Sequence, residues 1–272
     1  MERKVLIMIK SNSHYNYIHS SAGRTTKQSN CHTDIQSNCQ TVTQSHTHTL
    51  TQSRSHTELA ATVAICTYNG AQRIGYVLES LTKQTMPPDD WEILVVDNAC
   101  TDDTVEVCEQ WREKLPVSLR IVREAKPGLS YARGCAGRNA KGEIVCFLDD
   151  DSPADPDWVE QAVKAFAQRP KAGCLGGKVK PIWEVEPTAL VLEVCNFALA
   201  ICDYGDQEFK YSGVKAGGPV GAGICVRRDV LMQAYANDSW AAGNLGPAGK
   251  NRISGSEMAL NAVICGLGYE MW

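Results

Sequence analysis

Histidine is missing from everything after His56: the chain's six histidines, His14, His19, His32, His46, His48 and His56, all lie in its first part. That absence excludes Ser-His-Asp and Cys-His catalytic arrangements and histidine metal sites from the remainder, and leaves proton transfer to carboxylates, with Lys, Tyr and Cys poorer at neutral pH. CxxC spacing is also absent. The twelve cysteines stand singly, many inside apolar segments (Cys66, Cys146, Cys174, Cys225, Cys265), and so read as reduced thiols of a cytoplasmic protein rather than a disulfide framework. Only Gly70 follows the first strand-like run, which removes both the GxGxxG fingerprint and the Walker A loop. No apolar stretch is long enough for a membrane span: the longest, residues 189–202, carries Glu193 and Asn196. Val5-Leu6-Ile7-Met8-Ile9 is too short for a signal-peptide core. A net charge of −4 gives no electrostatic reason to expect nucleic acid or anionic lipid as the main partner. A soluble protein is expected, able to work peripherally at a membrane surface.

What is present divides into two parts. Residues 1–58 form a tail in which 11–58 are dominated by Ser, Thr, Gln, Asn and His without apolar periodicity, a composition that cannot offset its ordering entropy. Disorder is expected there. Gln-Ser recurs at Gln28-Ser29, Gln36-Ser37, Gln44-Ser45 and Gln52-Ser53, an eight-residue spacing too short for a solenoid unit. Cys31, His32, Cys39, His46 and His48 match no zinc spacing.

From residue 59 strands and helices alternate. Ala61-Thr62-Val63-Ala64-Ile65-Cys66 is a buried strand, and Ile74, Val77, Leu78 and Leu81 give a helix with one apolar face, ended by Pro87-Pro88. Glu92-Ile93-Leu94-Val95-Val96 is the second strand, followed by Thr101-Asp102-Asp103 as cap and first-turn acids of a helix that buries Cys108 and Trp111. Residues 117–122 are the third strand. A helix with Tyr131, Arg133 and Arg138 follows, then the fourth strand, Ile144-Val145-Cys146-Phe147-Leu148. Asp155 and Pro156 open the next helix, with Val159, Val163 and Phe166 inward. Continuous apolar strands between helices specify a mainly parallel sheet covered on both faces, an α/β domain whose ligands lie at the carboxyl ends of the strands.

Those ends are polar: Thr67-Tyr68-Asn69, Asp97-Asn98 and Asp149-Asp150-Asp151. Side-by-side carboxylates repel one another, so the acidic turn is either a solvated cap or a place for a cation. Gly217-Gly218-Pro219-Val220-Gly221-Ala222-Gly223 is glycine-rich but precedes its strand, the reverse of a phosphate loop, and reads as a tight loop beside a substrate.

Thr67-Tyr68-Asn69, Val95-Val96-Asp97-Asn98, Lys141-Gly142-Glu143 and Leu148-Asp149-Asp150-Asp151, in that order, resemble a family 2 glycosyltransferase of the GT-A fold, from about Ala61 to the end of the chain. The resemblance implies an inverting transferase that moves a sugar from a nucleotide-diphosphate sugar, a UDP-sugar for preference, to a glycan or lipid-linked acceptor in polysaccharide or glycoconjugate biosynthesis, in the cytoplasm or at the inner membrane face. It divides residues 59–272 into a nucleotide-sugar and metal half, 61–155, and an acceptor half, 172–272. It also implies that Asp149 and Asp151 form a DxD pair: Asp151 ligates Mg²⁺ or Mn²⁺, Asp149 meets the ribose or the metal, and Asp150 shares the turn. Asp97 and Asn98 would meet the base, Thr67, Tyr68 and Asn69 the nucleoside, and Arg133 the nucleotide or phosphate, with Gly134 in place of the family's Asn.

By the same resemblance the base comes from a Glu-Asp pair that opens a late helix. Ser254-Gly255-Ser256-Glu257-Met258 is the matching segment, with Met258 where the Asp is expected, which makes Glu257 the base. The chain stops at Trp272, before further segments usual in the family. Met258 and that early stop also leave open a catalytically impaired, nucleotide-sugar-binding remnant. A nucleotidyltransferase on a related sheet is disfavoured by the missing glycine- and Lys/Arg-rich loop after strand one.

Overall fold

In the computed structural model, the residues described are 5–10, 59–183, 185–190, 201–213, 217–236, 247–248, 251–252 and 256–272. The low-complexity repeats fall outside the described residues. Within residues 5–10, Val5–Lys10 (β1) is a strand rather than featureless tail: it pairs antiparallel with Lys178–Trp183 (β7).

The main sheet has seven strands. Leu59–Thr67 (β2), Trp91–Asp97 (β3), Leu119–Arg123 (β4) and Gly142–Leu148 (β5) run parallel in the order β5-β2-β3-β4. Cys225–Arg227 (β8) lies antiparallel between β5 and Ala172–Leu175 (β6), and Glu270–Met271 (β11) extends the edge parallel to β6. Pro247–Ala248 (β9) and Asn251–Arg252 (β10) make a separate pair. The strands are apolar almost throughout because both faces are covered. One face carries Ile74–Leu81 (α1), Thr104–Trp111 (α2) and Trp158–Gln168 (α4), over a core that includes Val63, Ile93, Cys146 and Phe166. The other carries Leu129–Asn139 (α3), Arg228–Ala234 (α5) and Ser256–Gly266 (α6), over Leu94, Val145, Leu231 and Ile264. This is the expected mainly parallel α/β sheet with helices on both faces. The described cysteines are unpaired.

Two helix boundaries differ from the sequence expectation for one shared reason. α1 stops at Leu81, before Pro87-Pro88, and α4 starts at Trp158, with Asp157 rather than Asp155 at its cap. Between them the Thr85 amide donates to the Pro156 carbonyl at 2.8 Å and Gln84 Nε2 to the Asp155 carbonyl at 2.7 Å. Those tertiary bonds commit the backbone at both ends to each other instead of to another helical turn.

Candidate functional site

β3, β2 and β5 end side by side, so Asp97, Thr67 and the acidic turn meet along one edge. There the three adjacent carboxylates divide their work. Asp150 is turned inward, 9% exposed: its Oδ2 accepts from Thr67 Oγ1 at 2.6 Å, and Arg73 donates Nε to Oδ1 at 3.1 Å and Nη2 to Oδ2 at 2.9 Å. Such a two-pronged arginine contact fixes the carboxylate's plane. Gly70 makes room for it, since a Cβ there would lie 2.3 Å from Thr67 Oγ1 and 2.4 Å from Asp150 Oδ2. Asp150 therefore ties the β2 end to the β5 end instead of facing a ligand.

Asp149 and Asp151 carry the remaining charge. Burial pushes the Asp149 carboxyl up to about 6; Arg133 opposes this, and Asp151, Asp150 and Glu257 add to it. Burial and then Asp150 raise Asp151 as well. Two crowded carboxylates held against protonation cost are a fitting place for a hard cation that takes oxygen ligands and keeps water or phosphate oxygens besides. Among the described residues no group of three or more His, Cys, Asp or Glu side chains is placed to hold a metal ion.

The neighbouring strand ends are bonded to their own loops. Asp97 Oδ1 accepts from the Cys100 amide at 2.7 Å and Oδ2 from Arg123 Nη1 at 2.9 Å, with each oxygen keeping a lone pair. Asn98 is likewise bonded to its loop: Oδ1 accepts from the Gly128 amide at 2.7 Å and Nδ2 donates to the carbonyls of Lys126 at 2.7 Å and Glu124 at 3.3 Å. It anchors the loop between β4 and α3. Asn69 sits at φ 52° and accepts from the Thr101 amide at 2.8 Å. Tyr68 is 46% exposed.

Across from the acidic turn, α6 presents Glu257, whose charge reaches Asp149. Met258, one residue on, is 62% exposed. Arg133 is buried beneath: Nη1 donates to Ser256 Oγ at 3.1 Å, its guanidinium lies 5.5 Å from the centre of the Phe147 ring, and Nε has no hydrogen-bond partner. Because β8 runs antiparallel, its amino end and residues 217–223 before it lie at the carboxyl edge of the parallel strands, against Arg133 and Glu257. Sequence reasoning missed Arg73 and Ser256. A run of adjacent acids demands a buried countercharge, and that demand was the available signal for Arg73.

Residues 62–233 match the model of the family described as glycosyl transferase family 2. The chain is 27% identical over 201 residues to a glucosyl-dolichyl phosphate glucuronosyltransferase of Haloferax volcanii, 73% of this chain and 61% of that protein. It is 31% identical over 121 residues to the poly(ribitol-phosphate) beta-N-acetylglucosaminyltransferase TarS of Staphylococcus aureus, 44% of this chain and 21% of TarS. The chain thus spans less than two thirds of the length of these relatives. Among solved structures, the mannosyltransferase PcManGT from Pyrobaculum calidifontis, in complex with GDP-Man and Mn²⁺, is similar with a TM-score of 0.49 and 26% identity, over 65% of this chain and 47% of that one.

Proposed function

Since the protein belongs to glycosyl transferase family 2 by a match over residues 62–233, we propose that it moves a sugar with inversion from a nucleotide-diphosphate sugar, a UDP-sugar for preference, to an acceptor hydroxyl. The observation that supports the reading is that the charge of Glu257 reaches Asp149, while Asp150 is withdrawn into its contact with Arg73. Asp149 and Asp151 would hold Mg²⁺ or Mn²⁺, which neutralises charge on the departing diphosphate. Glu257 takes the proton of the acceptor hydroxyl as that oxygen bonds to the anomeric carbon. The bond from the anomeric carbon to the diphosphate oxygen breaks on the opposite face, and its electron pair leaves with the nucleotide. Asp97 accepts from the base through its free lone pairs, and Thr67, Tyr68 and Asn69 border the nucleoside. Residues 61–155 then form the donor half and 172–272 the acceptor half.

A glycan or lipid-linked acceptor in glycoconjugate synthesis suits this chemistry, at the cytoplasmic face of a membrane. No helix among the described residues is long and apolar enough to cross one. The impaired-remnant reading draws on Met258, but that side chain is 62% exposed. Met258→Asp tests that reading: a gain of turnover confined to this variant would support it. The test is calorimetry of UDP and GDP with Mn²⁺ or with chelator, together with turnover of UDP-glucose, UDP-N-acetylglucosamine and GDP-mannose. Binding that depends on Mn²⁺ and is lost in Asp151→Ala is expected, with Glu257→Gln binding normally and transferring at least about a hundredfold more slowly. Equal binding with chelator would sink the metal assignment, and full turnover by Glu257→Gln would sink the base.

A further inference from the structure

We infer that Arg133 serves the reaction through Glu257, as a positioning residue that fixes the carboxylate by way of Ser256, and not by touching the donor. The inference rests on the reading of Glu257 as the base. Arg133 Nη1 donates to Ser256 Oγ at 3.1 Å, and Ser256 Oγ donates to Glu257 Oε2 at 3.3 Å. The direction of this chain is forced: guanidinium has only donors, an ionised carboxylate only acceptors, and the hydroxyl between has one hydrogen to pass on. Cation, hydroxyl and carboxylate are thus strung in one order, and each link polarises the next.

Burial removes water as a competitor, because Arg133 and Ser256 are each 2% exposed. The same burial argues against a donor contact. One side of the guanidinium is occupied by the Phe147 ring and another by the 217–223 loop, where a Cβ on Gly221 would come 2.8 Å from Nη2 and 3.6 Å from Glu257 Oε2. A side chain at Gly221 would thus crowd the guanidinium, while meeting the Glu257 carboxylate only at ordinary contact distance. Nε is left without a partner at a cost that burial makes real. A group kept at such a cost calls for an explanation beyond packing, and orientation of the base supplies it.

The test compares Ser256→Ala, Ser256→Thr and Arg133→Met with the full chain. Ser256→Ala and Arg133→Met are each expected to lower kcat about tenfold or more, the size of one hydrogen bond to a charged group. UDP affinity in Mn²⁺ should stay within about twofold in Ser256→Ala, and Ser256→Thr, which keeps the hydroxyl, should restore turnover. In Glu257→Gln, whose residual turnover is followed over long incubation, Ser256→Ala should cost nothing further. A readout independent of turnover is the ¹³Cδ resonance of Glu257, assigned as the one lost in Glu257→Gln. It should move in Ser256→Ala and Arg133→Met and return in Ser256→Thr. The proposal is overturned if UDP affinity falls together with kcat in Ser256→Ala, if the Ser256→Ala loss persists unchanged in Glu257→Gln, or if the resonance does not move. Full turnover by Glu257→Gln removes the base and the relay together, whereas an inactive Glu257→Gln with an unmoved resonance removes the relay alone.

Discussion

Asp149 is a side chain whose burial and charge oppose each other. Burial lifts its carboxyl to about 6, above the ordinary value of 3.8 expected once the chain unfolds. The folded state therefore holds a proton that the unfolded state has released, and the resulting stability is present below about pH 4 and lost as pH rises through about 6. Asp149→Asn removes the charge and should raise the thermal midpoint of the ligand-free protein at pH 7.5 by the equivalent of about 1–2 kcal/mol, allowing for solvent screening of a half-buried group. At pH 4 it should change little. Melting curves at the two values decide it, and a midpoint lowered at both would refute the assignment. The acidic triplet itself was plain in the sequence, but its division of labour was not. Asp150 is withdrawn by Arg73, 77 residues earlier, and Arg133 meets Ser256 across 123 residues, separations at which no local pattern operates.

Among the elements, the parallel strands are held in register at their amino ends by Glu92 on β3, which is 1% exposed. It accepts from Thr62 Oγ1 on β2 at 3.0 Å, from the Lys141 amide before β5 at 2.9 Å, and from Arg120 on β4 through Nε at 2.7 Å and Nη2 at 2.8 Å. Glu92→Ala removes the acceptor these donors share, leaving Arg120 its bond to the Asn139 carbonyl and the Lys141 amide its bond to Thr62 Oγ1, and should cost about 2–3 kcal/mol by denaturant unfolding. A loss under about 1 kcal/mol would mean that water replaces the carboxylate there without penalty. Strand and helix identities were legible because apolar runs and the Ile74, Val77, Leu78, Leu81 spacing act locally. The ends of α1 and α4 were not, because the bonds of Gln84 and Thr85 to Asp155 and Pro156 decide them.

At the scale of the molecule, two cores share one sheet, so neither face can loosen alone. Phe166, 1% exposed, fills one core and Leu231, 0% exposed, the other. Phe166→Ala and Leu231→Ala should each cost about 2–5 kcal/mol while leaving a single transition, coincident by near- and far-ultraviolet circular dichroism. Separate transitions would mean that the faces melt independently. The sheet also explains why a glycine-rich loop that precedes its strand still reaches the ligand edge: β8 is inserted backwards between β5 and β6. For protein engineering, that reversal makes the 217–223 loop the last stretch of an exchangeable cassette. A designer can exchange the segment between β7 and β8 while β2, β3 and β5, whose ends carry Thr67, Asp97 and the acidic turn, are inherited untouched.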